Sequence, residues 1–227
     1  MSDSWLIIES SGRVGRVGVV VDHRIVVEAS LDETRRHARD LAATTGRLLS
    51  EAGLTPSTVH GVMVSVGPGS FTGLRVGIMS AKAFAYATGC ELIAVPTFEA
   101  IANRAPKHEV DVISDALQRH VYVQRFRFDS TVWKPVTDLK ITALDDWLAT
   151  ISTGIAVSGP GIDVYEKSIP IEVERIDEAL RSPTVESVIR AGRTRTPISR
   201  NELAALEPIY LRGSSAEEKA KAVEPVQ

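Results

Sequence analysis

Short apolar runs broken by turn residues alternate along this chain with longer stretches whose apolar positions fall three and four apart, and that alternation predicts its elements. Trp5 to Glu9, Val14 to Val21 and Arg24 to Ser30 are rich in Val and Ile and are separated by Ser-Ser-Gly and Asp-His, the pattern of a three-stranded antiparallel meander. From Glu33 to Ala52 the positions Ala38, Leu41, Ala42, Leu48, Leu49 and Ala52 recur at helical spacing, with Gly53 as the stop. Val59 to Val66 is a further strand, and the Gly67-Pro68-Gly69 that follows forces a turn. Ser70 or Thr72 then caps a helix running from about Leu74 to Thr88. Glu91 to Val95 reads as a strand, and Pro96-Thr97 starts a short helix ending near Asn103.

The first half therefore reads β-β-β-α-β-α-β-α, which departs from a dinucleotide-binding fold because that fold begins with βαβ. A meander followed by crossover helices predicts a mixed sheet of the ribonuclease-H-like kind. The second half repeats the order. Strands at Val110 to Ser114, Val121 to Phe128 and Val132 to Val136 precede a helix from Leu144 to Ile151, and Gly154 to Gly161 ends in Ser and Gly-Pro-Gly as Gly61 to Gly69 does. The expected class is α/β, with two ribonuclease-H-like lobes of the actin, sugar-kinase and Hsp70 superfamily, mixed sheets and flanking helices. The lobes are expected at residues 1–103 and 104–227, with Arg104 to Glu109 as hinge.

Composition narrows the partners. With 227 residues, 44% of them apolar, the chain can bury one large core or two small ones. A net charge of −3 gives no global attraction to nucleic acid or anionic membranes. The single cysteine, Cys90, excludes an internal disulfide and a Cys-rich zinc site, which fits a cytoplasmic setting. Met1 to Trp5 lack the basic start and apolar core of a signal peptide, so a mature end is expected there. The uncharged stretch between Leu54 and Leu74 is interrupted by two prolines, glycines and Ser/Thr, so it is not a membrane span.

The residues with chemical potential are few. Gly67 to Gly73 follows a strand and opens a helix, so its backbone N–H groups could bind an anion together with Arg75. It is no Walker A loop, because Gly73 is followed by Leu74-Arg75 and not by Lys and a hydroxyl residue. Nor does it have dinucleotide glycine spacing or a Gly-x-Ser-x-Gly elbow. Glycines needed for a tight turn and a close helix approach explain the same pattern, and both readings stay open. The following helix carries Gly77, Ser80, Ala81, Ala83, Ala85 and Ala87, small residues that suit either its own core or a close protein interface. His37 lacks a histidine four residues on, where Leu41 stands, so no metal site is expected. Glu9 and Asp115 close the first strand of each half, where the superfamily puts metal-phosphate carboxylates. Glu9 is longer than the usual Asp and would displace a bridging Mg²⁺. No catalytic triad or Cys/His pair can be assembled. Arg190, Arg193, Arg195 and Arg200 form a loose basic cluster that reads as a solvated face.

Taken together, Ser65 to Gly77, Ala81-Lys82 and Val95 to Ala100 resemble the TsaB (YeaZ) family of tRNA threonylcarbamoyladenosine biosynthesis, as do Leu6 to Ser11, Leu48-Leu49, Asp115 to Tyr122 and Pro208 to Arg212. The resemblance implies a non-catalytic accessory subunit that scaffolds and activates a TsaD-type transferase, alongside a TsaE-type ATPase, with tRNA engaged through the complex and a homodimer formed in isolation. It implies pairing through first-lobe helices, which maps to His37, Leu41, Thr45 and Leu48 on the first and to Gly77, Ser80, Ala81, Phe84 and Ala85 on the second. ATP or ADP with Mg²⁺ is implied at the partner interface, while the residues of this chain that read as a nucleotide or anion site are Glu9, Gly67, Gly69, Ser70, Thr72, Gly73, Arg75 and Asp115. Two departures stand out: the opening strand ends Glu9-Ser10-Ser11 where the family has Asp-Thr-Ser, and Gln118-Arg119-His120 lacks a glycine usual nearby. The alternative is an actin-fold ATPase or small-molecule kinase working between the lobes.

Overall fold

The computed structural model describes residues 3–31, 37–152 and 154–211, with 37–39 described as backbone alone. β1 (Ser4–Glu9) is the centre of the first sheet, paired antiparallel with β2 (Arg16–Val21), which pairs antiparallel with β3 (Arg24–Ser30). On its other side β1 runs parallel to β4 (Gly61–Gly67), and β4 runs parallel to β5 (Glu91–Pro96), giving the order β3-β2-β1-β4-β5.

Every residue of β4, and all of β1 except Trp5, is buried, because helices cover both faces of the sheet. The period of two sorts the side chains. Leu6 and Ile8 join Val62, Val64 and Val66 under α1 (His37–Glu51) and α2 (Phe71–Thr88), whereas Ile7 and Met63 face α6 (Val185–Gly192). Expected residues 33–36 of the first helix lie outside the described residues. Ser70 is the N-cap of α2, its Oγ accepting from the Gly73 N–H at 3.2 Å, so Thr72 is not the cap. Gly89, with φ at +73°, closes the helix.

α3 (Thr97–Ala102) leads to the second sheet. There β6 (Glu109–Asp115) pairs antiparallel with β7 (His120–Phe128), whose far edge is shared by β8 (Trp133–Pro135) and β9 (Lys140–Ala143). β10 (Ala156–Ser158) runs parallel to β6 and is bridged in parallel to Arg175. The plan of the first sheet thus recurs, with β6 in the place of β1 and β10 in that of β4. The two Gly-Pro-Gly turns also correspond, since Gly67 and Gly159 have φ of +111° and +98°, where a side chain would be strained. α4 (Leu144–Leu148) ends three residues before the expected Ile151. α5 (Gly161–Tyr165) and α6 were not expected, and neither was β9.

The chain finally returns to the first sheet. α6, opened by a Thr184–Ser187 capping box, sets Val185 against Gly18 and Gly192 against Met63. Beyond it, the Ile198 N–H donates to Leu92 O at 2.8 Å, and the Ile209 N–H donates to Val66 O at 2.8 Å.

Candidate functional site

A cleft of about 1020 Å³ separates the two sheets. The β1–β2 turn, Ser11 to Val14, and the loop into α2, at Pro68, Gly69, Ser70, Thr72 and Gly73, line one wall, and Ser114, Asp115 and Tyr122 line the other. Gly69, Ser70 and Thr72 are exposed there, while Gly67 and Gly73 are buried.

The glycines of this loop have a packing reason. A Cβ on Gly73 would overlap the Ser10 carbonyl oxygen, one on Gly77 would overlap the Ser10 hydroxyl, and one on Gly69 would stand 2.5 Å from Ser11 O. Ser70 N–H donates to Ser11 O at 2.7 Å, so the loop is fastened to the end of β1. Arg75 turns away from the cleft: its guanidinium lies 4.0 Å over the Phe71 ring, and its Nε donates to Tyr210 Oη at 3.2 Å. Phe71 and Tyr210 stack at 4.9 Å.

Strand alternation decides where Glu9 points. It lies on the Ile7 face of β1, beside Ser65 on the parallel strand β4, and is fully buried. Its Oε1 accepts from the Ser11 N–H at 2.7 Å and from Ser11 Oγ at 2.6 Å, and its Oε2 accepts from Ser65 Oγ at 2.7 Å. These bonds satisfy the carboxylate internally, which is what a buried charge needs, and Glu9 does not line the cleft.

Asp115 does line it, but Oδ1 is engaged by the Leu117 N–H at 2.9 Å and by Tyr165 Oη at 2.6 Å. Burial first, then donation to Asp115, pushes Tyr165 up to about 12, so it remains a hydrogen-bond donor at ordinary pH. The loop beyond, Leu117 to Arg119, takes φ of +64°, +51° and +56° without a glycine. Such backbone is costly for these residues and is held by the Ala116 N–H to His120 O bond at 2.9 Å. A divalent cation bridged by Glu9 and Asp115 does not fit this arrangement, because one carboxylate is turned inward and the other is partly committed.

The two helices expected to dock a partner sort differently from the sequence expectation. Leu41, Leu48, Gly77, Ala81 and Ala85 are all buried in the chain's own interior, Gly77 against Ser10 and Ile8. Thr45, Ser80 and Phe84 are half-buried, and the side chain of His37 lies outside the described residues. The surface that α2 does present is the stripe Thr72, Arg75, Met79, Ala83 and Tyr86, spaced three and four apart. Met79 is 61% exposed and Tyr86 74%. The same periodicity that marked the buried stripe could have identified this opposite one.

The family model described as TsaD, tRNA N6-adenosine threonylcarbamoyltransferase, matches residues 32–218. An uncharacterised Mycobacterium tuberculosis protein is 34% identical over 123 residues, covering 53% of this chain and 58% of that protein. The chain thus spans little more than half the length of these mycobacterial relatives. The Bacillus subtilis tRNA threonylcarbamoyladenosine biosynthesis protein TsaB is 24% identical over 186 residues, which cover 81% of this chain and 76% of that one. The solved structure of YeaZ from Pseudomonas aeruginosa shares the fold, with a TM-score of 0.77 and 21% identity, covering 92% of this chain and all of that one.

Proposed function

The chain belongs to the tRNA N6-adenosine threonylcarbamoyltransferase (TsaD) family, on its TsaB (YeaZ) side, and from that premise we propose that it is an accessory subunit in tRNA threonylcarbamoyladenosine biosynthesis. In this reading it performs no chemistry alone. It binds a TsaD-type catalytic subunit, holds it in a productive geometry, and works beside a TsaE-type ATPase in the cytoplasm. The observation that carries the reading is the state of Glu9, a buried carboxylate satisfied by Ser11 and Ser65 and withdrawn from the cleft. No helix among the described residues is long and apolar enough to cross a membrane.

The docking surface in this proposal is the outer stripe of α2, centred on Met79 and Tyr86, with Thr45 and Phe84 at its flanks. Exposed Tyr and Met side chains grouped on a rigid helix are the composition of interface centres. In isolation the same stripe serves a homodimer, and the catalytic partner competes for it. The sequence halves 1–103 and 104–227 remain our proposed lobes, with residues 185–209 packing back on the first. The double substitution Met79→Asp/Tyr86→Asp tests the proposal. It should abolish co-purification with the TsaD-type subunit while leaving the far-UV circular dichroism and melting temperature of this chain unchanged; undiminished binding would overturn it.

The second reading, an actin-fold ATPase or small-molecule kinase, is favoured by the size of the cleft and by its exposed Gly69, Ser70 and Thr72. Any nucleotide there would have to bind without the N–H groups of Gly67, Ser70 and Gly73, which donate to Thr97 Oγ1, Ser11 O and Ser70 Oγ, and without a cation held between Glu9 and Asp115. ATP turnover by the isolated chain distinguishes the two.

A further inference from the structure

A second groove, of about 550 Å³, lies at the hinge and shares no lining residue with the cleft. The fold assembles it from α3 and the segment after it, at Glu99, Lys107 and His108, from the end of β7 at Phe128 with Trp133 of β8, and from the end of α6 at Arg190 with Arg193 just beyond. In the sequence Arg190 and Arg193 look like a solvated face. In the structure they line one groove with Lys107 and with aromatic rings, His108 and Phe128 lying 6.5 Å apart and Phe128 meeting Trp133 at 5.7 Å.

The charges of the groove are available to a ligand. Lys107 pairs with Glu174 at 2.6 Å and Arg190 with Glu186 at 2.5 Å, but all four side chains are more than two-fifths exposed. Ion pairs so exposed contribute little, so exchanging their carboxylates for phosphates costs little. Arg193 is exposed and makes no ion pair among the described residues. The acid lining the groove, Glu99, is buried and taken by Arg195, so Lys107, Arg190 and Arg193 are the charges that the groove presents.

Cations that track a backbone, set around aromatic rings on which a base can stack, match single-stranded nucleic acid. We propose that this groove binds an unpaired segment of RNA, with phosphates on Lys107, Arg190 and Arg193 and a base stacked on Phe128. The choice of RNA rests on the accessory-subunit reading above, and it gives the subunit a direct hold on the tRNA in addition to its hold on the catalytic partner.

The test uses the full chain and a fluorescein-labelled anticodon stem-loop RNA, followed by anisotropy across a salt series. Lys107→Ala/Arg193→Ala should remove two phosphate contacts. The slope of log affinity on log salt then falls by about 1.4, and affinity drops about 25-fold at about 0.1 M salt. Phe128→Leu keeps an apolar side chain in place but removes the stacking surface, so affinity should fall on the order of tenfold with the slope unchanged. Lys167→Glu, an exposed charge change outside the groove, should have a far smaller effect than the groove pair. Melting temperatures of all variants are measured alongside. Absence of saturable binding, a loss as large in Lys167→Glu, or equal affinity for a blunt RNA duplex would overturn the proposal. So would groove variants that lose the catalytic partner while keeping the RNA, since the groove would then be a protein interface. Failure here with partner binding intact overturns the RNA site and leaves the accessory reading standing.

Discussion

Replacing Glu9 separates a structural carboxylate from a chemical one. Glu9→Ala removes the acceptor for the Ser11 N–H and Oγ and for Ser65 Oγ, all of them buried. A hydrogen bond to a charged group contributes about 1.5–3 kcal/mol net, and there are two separate anchors, Ser11 and Ser65. Removing the carboxylate also removes the cost of desolvating it, which places the net cost near the lower end, about 3 kcal/mol. For a chain of this length that lowers the melting temperature by roughly 6–12 °C. Glu9→Gln keeps the shape and one acceptor oxygen, so it should cost about 1 kcal/mol and lower the melting temperature by roughly 2–4 °C. Thermal unfolding by circular dichroism reads both, and tRNA modification reconstituted with the catalytic partner reads function. Glu9→Gln is expected to retain that activity. A variant that melts like the parent but supports no modification would refute the reasoning, because Glu9 would then act on a reacting group.

Gly73→Ala should destabilise by about 1–3 kcal/mol, since its Cβ meets the Ser10 carbonyl and helix propensity returns only about 1 kcal/mol. By contrast, Gly46→Ala on α1, with open space around its Cβ, should stabilise by about 0.8–1 kcal/mol in urea unfolding. Asp111→Ala should cost about 3 kcal/mol, because it leaves Arg125 Nε and Nη2 and the Trp147 Nε1–H without their partner in the second sheet. Tyr165 has its folded-state pKa raised to about 12 from an ordinary 10.0, so its contribution is complete below pH 10.0 and is lost as pH rises toward about 12. A phenolate absorbance titration should show a last step near pH 12 that Tyr165→Phe removes.

The order of elements in the first half was legible because period-two and helical patterns, Gly53 and the Gly-Pro-Gly turns each fall where a boundary lies. The repeat was legible for the same reason: Gly67 and Gly159 both need positive φ. What pattern could not show was the return of residues 185–209 to the first sheet, because nothing local in Val185 to Gly192 says which sheet its apolar face will cover. The residues read as a site do not all share one place in the structure. Gly69, Ser70 and Asp115 do line a cleft, yet Glu9 belongs to the interior because Ser65, distant in sequence, stands beside it. The small residues of α2 were correctly noticed, but Gly77, Ala81 and Ala85 mark the helix's approach to its own sheet. Its free face is marked by Met79 and Tyr86.

The central claim is that this chain acts through a catalytic partner and not by itself. Mixing it with the TsaD-type and TsaE-type subunits and unmodified tRNA, then measuring threonylcarbamoyladenosine formed, tests that most directly. Modification should require this chain, should survive Glu9→Gln, and should fail with Met79→Asp/Tyr86→Asp, while the chain alone turns over no ATP. Modification at full rate without this chain, or ATP turnover by the isolated chain that Glu9→Gln abolishes, would contradict the account.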